Sequence, residues 1–332
     1  MTARRVQASV GLLLYPGAQM SAVHGLTDMF RTANRLSAGQ GLPGMPALRV
    51  SHWRLGDEGQ SVERVFDTHG GSGDRLAVLI VPPSLEEESL AERAAVLARW
   101  LAARHAAGTT LCSICAGAFL LAETGLLDGR RATTHWNLAE KLAGKFPAIQ
   151  LDVDKLIIED GDIITAGGVM AWVDLGLRLI DRLLSPGIML ATARFFVVDP
   201  AGREQRFYSH FAPKLHHGDE AILKVQHWLQ VHGLEKLTLR KMAARAVLGE
   251  RTFLRRFQKA TGLNPTAYVQ HLRIGKAREM LEASNLTIEQ VAWRVGYEDP
   301  GSFRKVFFKW MGLSPGDYRR RFSITRPDSL GP

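Results

Sequence analysis

Cys115 has the setting of a reactive side chain. It lies in LCSICAGAFLLAE, where an apolar run that reads as a strand turns at once into a helical pattern. A side chain at such a turn projects from the edge of a sheet beside a helix N-terminus. The backbone is crowded there, and Ala116, Gly117 and Ala118 are the small neighbours it needs. This is the layout of a nucleophile elbow, and the helix N-terminus is expected to lower the thiol pKa. The plainer alternative is a small buried residue, the usual fate of a free cysteine. Cys112 and Cys115 form C-x-x-C, but Cys112 falls inside the strand, which argues against a thioredoxin-type redox pair. With no second cysteine pair, zinc-site spacing is missing as well, and no metal or cofactor is expected. Asp152, Asp154, Glu159, Asp160 and Asp162 read as solvated hairpin edges, and Glu86–Glu88 as a helix-start charge run.

A different chemistry, contact with a polyanion, is suggested by basic residues set in an internal repeat. TLRKMAARAVLGERTFLRRFQKATGLNPTAY faces TIEQVAWRVGYEDPGSFRKVFFKWMGLSPGDY. Leu239, Met242 and Ala243 match Ile288, Val291 and Ala292 at an offset of 49. One extra residue in the second turn makes the offset 50, at which Phe253, Phe257, Gly262, Leu263, Pro265 and Tyr268 match Phe303, Phe307, Gly312, Leu313, Pro315 and Tyr318. Each copy reads as helix, turn, helix: Leu239–Ala246 then Glu250–Thr261, and Ile288–Val295 then Pro300–Met311. Thr238 and Thr287 are the expected N-caps, and Gly262 and Gly312 the stops. The phenylalanines at i, i+4 face a core. The remaining faces carry Arg251, Arg255 and Arg256 in one copy and Ser302, Arg304 and Lys305 in the other. This is a tandem helix-turn-helix, whose second helices present basic and polar groups to a major groove. A helix over Pro265–Ala283, with Tyr268, Leu272, Ala277 and Leu281 buried, fixes the spacing of the two. Lys241, Lys259, Lys276 and Arg319–Arg321 are either phosphate contacts or plain surface.

The elements around Cys115 alternate. Val6–Tyr15, Leu48–Leu55, Leu76–Val81 and Thr109–Ile114 read as strands, and Ala22–Ala33, Glu86–Ala107 and Gly117–Thr124 as helices. A hairpin follows over Leu156–Glu159 and Asp162–Thr165, then helices over Val169–Leu184 and Ile188–Phe196. The predicted fold class is α/β: a flavodoxin-like parallel sheet with helices on both faces, then an all-α domain. The expected domains are 1–197, a linker at 198–218 whose His216-His217 pair reads as exposed, and 219–325, opened by a helix over Asp219–His232.

Cys115 and its surroundings, CAGAFLLAETGLLDGRRATTHW, resemble the PfpI-like branch of the class I glutamine-amidotransferase superfamily over about residues 6–196. The resemblance makes Cys115 the elbow cysteine and His135 a histidine that approaches it, and it implies a ligand pocket at Cys115, Ala116, Gly117 and His135. Many active members carry a glutamate on the first helix, where this chain has Ala22, and protease-like members have a histidine where it has Ala116. An activated thiol needs such a partner, so no catalytic residue and no enzyme activity is expected. A residual cysteine hydrolase or deglycase activity, or redox sensing through Cys115, remains the alternative. His135 can equally be a hydrogen-bonded core histidine.

The repeat, above all IEQVAWRVGYEDPGSFRKVFFKWMGLSPGDYRRRF, resembles the AraC/XylS family of transcription regulators over about residues 219–322. By position the family's base-reading residues fall at Arg251, Leu254, Arg255, Gly301, Ser302 and Lys305, and Thr252, Arg256 and Arg304 complete the expected DNA-facing set. Gly301 offers no side chain, and Gly249 stands where the family often has a serine N-cap. Both halves together resemble GlxA-like regulators. The resemblance implies a sequence-specific regulator, an activator by expectation, with double-stranded DNA, a small-molecule effector, RNA polymerase and a second copy of itself as partners.

The charge supports that division. Over 332 residues the formal net charge is +9. Residues 1–214 hold 22 Lys/Arg and 22 Asp/Glu, whereas residues 215–332 hold 20 against 11, so the whole excess lies in the last third. Hydrophobic residues at 46% exclude a mainly disordered chain. No run approaches the ~18 apolar residues of a membrane span, and Met1–Val10 lacks a sustained apolar stretch. The expected location is the cytoplasm.

Overall fold

The computed structural model describes residues 6–39, 47–57, 59–70, 73–86, 94–200, 204–208, 211, 213–215, 217–231 and 237–324. The chain divides into two compact units, the first ending at Gln205 and the second beginning at Arg206.

In the first unit, β1 (Val6–Leu14) ends at a turn where Gly17 takes φ +76°, and α1 (Met20–Gly39) follows. β2 (Ala47–Leu55) lies parallel to β1 and β3 (Val62–Asp67) antiparallel to β2. β4 (Val78–Val81) pairs with the other side of β1. α2 (Ala94–Ala106), β5 (Thr110–Ile114) and α3 (Gly117–Ala122) come next. The short parallel strands β6 (Arg131–Ala132) and β7 (Gln150–Leu151) flank α4 (Ala139–Lys145). The hairpin of β8 (Ile157–Asp160) and β9 (Ile163–Ala166) precedes α5 (Trp172–Leu183) and α6 (Pro186–Phe196).

The main sheet runs β3-β2-β1-β4-β5-β9-β8, parallel through its five central strands, with an antiparallel strand at each edge. The period-2 alternation of strand side chains sorts the core into two layers. Val10, Leu12, Val78, Ile80, Cys112 and Ile114 pack with α1, α5 and α6. Leu13, Leu79, Val81 and Leu111 pack with α2, α3 and α4 on the opposite face. The doubly covered parallel sheet expected from the alternating elements is therefore present.

Several elements differ from the sequence reading: β6, α4 and β7 fill a stretch for which it gave no element. β3 is an additional strand: VERVFD lies at the sheet edge, half exposed, and lacks the apolar run of a central strand. The helix expected from Glu86 is described only from Ala94, since 87–93 lie outside the described residues. Glu86 itself is irregular, its N–H donating to Ser84 Oγ (3.2 Å), and the acidic first turn expected for this helix lies outside the described residues.

The second unit is helical: α7 (Glu220–Val231), α8 (Leu239–Arg245), α9 (Glu250–Thr261), α10 (Pro265–Ala283), α11 (Ile288–Arg294), α12 (Pro300–Met311) and α13 (Pro315–Phe322). Thr238 and Thr287 cap α8 and α11 through their side chains, and Gln290 completes a capping box at Thr287. Gly262 and Gly312 end α9 and α12 in the left-handed conformation. The described residues of this unit form two cores. Phe253, Phe257 and Tyr268 pack with α7 and α8, while Phe303, Phe307 and Tyr318 pack with α11. α10 supplies Tyr268 and Val269 to the first and Ile274, Ala277 and Leu281 to the second. No helix among the described residues is long and apolar enough to cross a membrane.

The two turns differ in one respect. At the left-handed position Gly296 has φ +87°, but Val247 stands in the equivalent place at φ +58° with its side chain almost fully exposed. A β-branched residue there stores strain of order 1–3 kcal/mol. Glycine relieves it but restores up to about 1 kcal/mol of unfolded-chain entropy. Val247→Gly is therefore expected to stabilise the chain by about 1 kcal/mol, read as a higher melting temperature.

Candidate ligand pocket and nucleic-acid interface

Cys115 follows β5 directly and takes φ +53°, a strained conformation for a residue with a Cβ. Neighbouring backbone holds it there. Its N–H donates to Ala166 O (2.7 Å), and Thr134 Oγ1 donates to its carbonyl oxygen (2.8 Å). A Cβ at Gly117 would stand 2.7 Å from Val81 O and 2.8 Å from Pro82 O, so only glycine lets α3 start this close to the end of β4. The elbow read from LCSICAGAFLLAE is thus present, and Ala116 and Gly117 form its downstream side.

The thiol departs from expectation. It is buried, and desolvation pushes its pKa up to about 11, against the lowering influence of the Ala116 N–H. The helix start therefore does not lower it below the ordinary thiol value. Tyr15 lies near it, its hydroxyl buried and donating to Pro82 O. Ala22, where an acid would be needed, is fully buried in α1.

Cys115, Ala116 and His135 line a cavity of about 670 Å³ whose walls are mainly apolar, with Leu85, Phe119, Leu138 and Val169 among them. These come from four separate segments, so no sequence spacing signalled them. Lys141 and Lys145 of α4 and Glu123 also border it, and Lys145 pairs with Glu123. His135 caps a short 3₁₀ turn: Asn137 N donates to its Nδ1 (3.3 Å), and the Asn137 side chain also contacts Nδ1. Burial lowers the His135 pKa despite the Asn137 contact, which favours a neutral ring.

Gln205, inside the stretch read as a linker, is buried and donates through Nε2 to Thr134 O (2.8 Å) and Thr133 Oγ1 (3.1 Å). It fixes the segment that carries His135. His216 lies outside the described residues, and His217 hydrogen-bonds Gln226 Oε1 (2.7 Å). Of the acidic residues, Asp152, Glu159 and Asp162 pair with Arg131, Arg178 and Arg130. Among the described residues no group of three or more His, Cys, Asp or Glu could hold a metal ion.

In the second unit α9 and α12 share one burial pattern. Thr252, Leu254 and Arg255 are exposed, as are Ser302, Arg304 and Lys305 at an offset of 50, while Phe253/Phe303 and Phe257/Phe307 are buried. Arg251 is exposed and Gly301 half exposed. α9 begins at Gly249 without a side-chain cap. α12 has one that the sequence reading missed. Asp299 accepts from Gly301 N (3.0 Å) and Ser302 N (2.7 Å), with Pro300 following. The Ser302 hydroxyl, these two backbone bonds and the nearby Lys305 charge hold its carboxyl below the usual range. The Asp-Pro pair was the signal available for it.

Two of the expected DNA-facing arginines are held in ion pairs. Arg304 pairs with Glu289 of α11, and Arg256 makes two bonds to Asp219, Nε to Oδ2 (2.9 Å) and Nη2 to Oδ1 (2.7 Å).

An α/β unit with an elbow cysteine above a pocket, joined in sequence to a tandem helix-turn-helix, defines a DNA-binding regulator with an amidotransferase-like domain. Residues 74–182 match the DJ-1/PfpI family and residues 242–321 the helix-turn-helix domain. The chain is 30% identical over 240 residues to the HTH-type transcriptional regulator CdhR of Pseudomonas aeruginosa, covering 71% of this chain and 70% of CdhR. It is 26% identical over 334 residues to the HTH-type transcriptional regulator GlxA of Rhizobium meliloti, covering 96% of this chain and 97% of GlxA. A crystal structure of an AraC family transcriptional regulator from Pseudomonas putida is 20% identical with a TM-score of 0.43, covering 57% of this chain and 99% of that one. The chain belongs to the AraC-type helix-turn-helix transcriptional regulators that carry a DJ-1/PfpI domain. It is a transcription regulator whose partner is DNA.

Proposed function

We propose that the chain reads a two-part operator through α9 and α12 and that a small metabolite bound beside Cys115 adjusts that reading. The observation that carries the DNA side is the shared exposure pattern of the two helices. Arg251, Thr252, Leu254 and Arg255 on α9, with Gly301, Ser302 and Lys305 on α12, form the proposed reading surface, and Gly301 and Leu254 contribute shape and apolar contact only. Arg256 and Arg304 act as struts within the unit.

The effector side rests on the cavity at the elbow, lined by Cys115, Ala116 and His135; Gly117 is buried against the end of β4 and does not line it. Activation, contact with RNA polymerase, a cytoplasmic location and dimerisation through the first unit belong to the same proposal and rest on the resemblance to GlxA-like regulators. The test is a metabolite panel applied to the full chain. An effector should raise the melting temperature and shift operator affinity together, and Leu138→Trp, which fills the cavity, should abolish both responses. A compound that stabilises the protein without changing operator affinity would contradict the coupling.

The first unit is proposed to sense without catalysing. Ala22 supplies no carboxylate, and the thiolate that would attack or be oxidised is disfavoured by burial. With a pKa of about 11, alkylation of Cys115 by iodoacetamide near pH 7.5 should run roughly 300-fold slower than for a free thiol, rising up to about pH 11. The same shift has a sign for stability. The folded thiol holds its proton more tightly than the unfolded one, so its contribution is complete below the unfolded value and is lost as pH rises towards 11. Rapid alkylation at neutral pH, or turnover lost on Cys115→Ala, would contradict the sensing role.

A further inference from the structure

We propose that Asp219 is a positioning residue for the first DNA-reading helix, and that Arg256 serves as the strut by which it acts and not as a DNA contact. This rests on α9 being a reading helix. Asp219 stands at the start of α7, where its Oδ1 accepts from Ile222 N (3.2 Å). The same carboxylate receives Nε and Nη2 of Arg256 at 2.9 and 2.7 Å. The fork is the geometry in which an arginine is most firmly oriented. The Arg256 guanidinium is the main cause that holds the Asp219 carboxyl below the usual range.

The repeat supplies independent support. Positions 256 and 306 correspond, and both are half-buried, whereas their neighbours at 254 and 255, and at 304 and 305, are exposed. In the second copy the position is Val306, packed against the core of α11, α12 and α13. This side of the reading helix therefore faces the body of the unit in both copies. In the first copy it bears an arginine that meets a carboxylate instead of an aliphatic residue that meets a core. Arg251 and Arg255 have no carboxylate partner in a salt bridge among the described residues, so the three arginines of α9 divide into two that are available and one that is engaged.

Asp219 is itself fixed from the segment that leads into the unit. Its N–H donates to His217 Nδ1 (3.1 Å), and His217 Nε2 donates to Gln226 Oε1 (2.7 Å). Gln226 is fully buried and donates to Lys214 O (3.0 Å) and to the Tyr268 hydroxyl (3.1 Å). The entering segment, α7, α10 and α9 are thus joined by one run of polar contacts, and it ends on the reading helix. A change in the approach of residues 214–219 would reach α9 through Asp219.

The test uses the full chain and an operator selected with the wild type. Asp219→Asn keeps a good N-cap for α7 and removes only the charge that holds Arg256. Arg256→Gln removes the other partner. Each should lower operator affinity about tenfold and leave affinity for random DNA and the salt slope unchanged, and the double variant should be no worse than either single one. If Arg256 touches phosphate instead, Arg256→Gln will weaken operator and random DNA alike and reduce the salt slope by about 1, while Asp219→Asn will bind as well as wild type or better. That result would overturn the proposal. A wild type with no sequence preference would instead overturn the reading role of α9. Melting temperatures of the variants separate positioning from unfolding. A loss of operator affinity that simply tracks a loss of folded protein also counts against it.

Discussion

Phe307→Ala is expected to cost about 3–5 kcal/mol and to remove the second half of the DNA-reading surface. Phe307 is fully buried, with its ring centroid 5.6 Å from that of Phe303 and 5.5 Å from that of Tyr318. The core it belongs to draws on α10 to α13 only, and so small a core has little stability in reserve. A domain is stable by about 5–15 kcal/mol in total, so the cavity left by the ring takes a large share. The first core, around Phe253 and Phe257, shares no buried side chain with the second and should persist. Urea unfolding should show an earlier transition for the half of the second unit built on the Phe303/Phe307 core, with the Phe253/Phe257 half unfolding as in the wild type. Footprinting should show protection shrinking from two half-elements to one. An unchanged two-part footprint together with an unchanged melting profile would contradict the two-core description.

Arg255→Ala is expected to lower operator affinity by about 1–3 kcal/mol and to relax preference at one base position, if the guanidinium makes a bidentate contact to a guanine edge. Arg255 is exposed and has no salt-bridge partner among the described residues, so its removal leaves no buried partner behind. Exposed arginines on a reading helix act either on bases or on phosphates, and the two outcomes differ in kind. Loss at a base narrows the gap between operator and random DNA. Loss at a phosphate weakens both equally and reduces the salt slope by about 1. Affinity scanned against salt for both DNAs decides between them. An Arg255→Ala variant that binds both DNAs like wild type would remove this residue from the reading surface.

The second unit was largely legible in the sequence because its information is local. The caps at Thr238 and Thr287, the left-handed glycines at 262 and 312 and the phenylalanines at i, i+4 all act within a few residues, and the repeat states them twice. α13 and the Asp299 cap were missed although Pro315 and Pro300 mark their starts. The role of Arg256 was not legible, since its partner Asp219 lies 37 residues away. In the first unit the alternation of apolar strands and helices gave the sheet, but not β3, which as a half-exposed edge strand has no continuous apolar run. The elbow at Cys115 was readable from its small neighbours, while the state of its thiol was not. Burial under the surrounding chain raises that pKa, and only the tertiary structure supplies it.

The central claim is that two equivalent helices read one stretch of DNA in tandem. α10 spans 19 residues, roughly 28 Å at 1.5 Å per residue, and holds them at a fixed separation. Selection of binding sites from random duplex DNA by the purified full chain tests this most directly. The expected product is an enriched site with two conserved half-elements whose centres lie about 10 base pairs apart, on one face of the duplex. Recovery of a single short element, or of no enriched sequence at all, would contradict it.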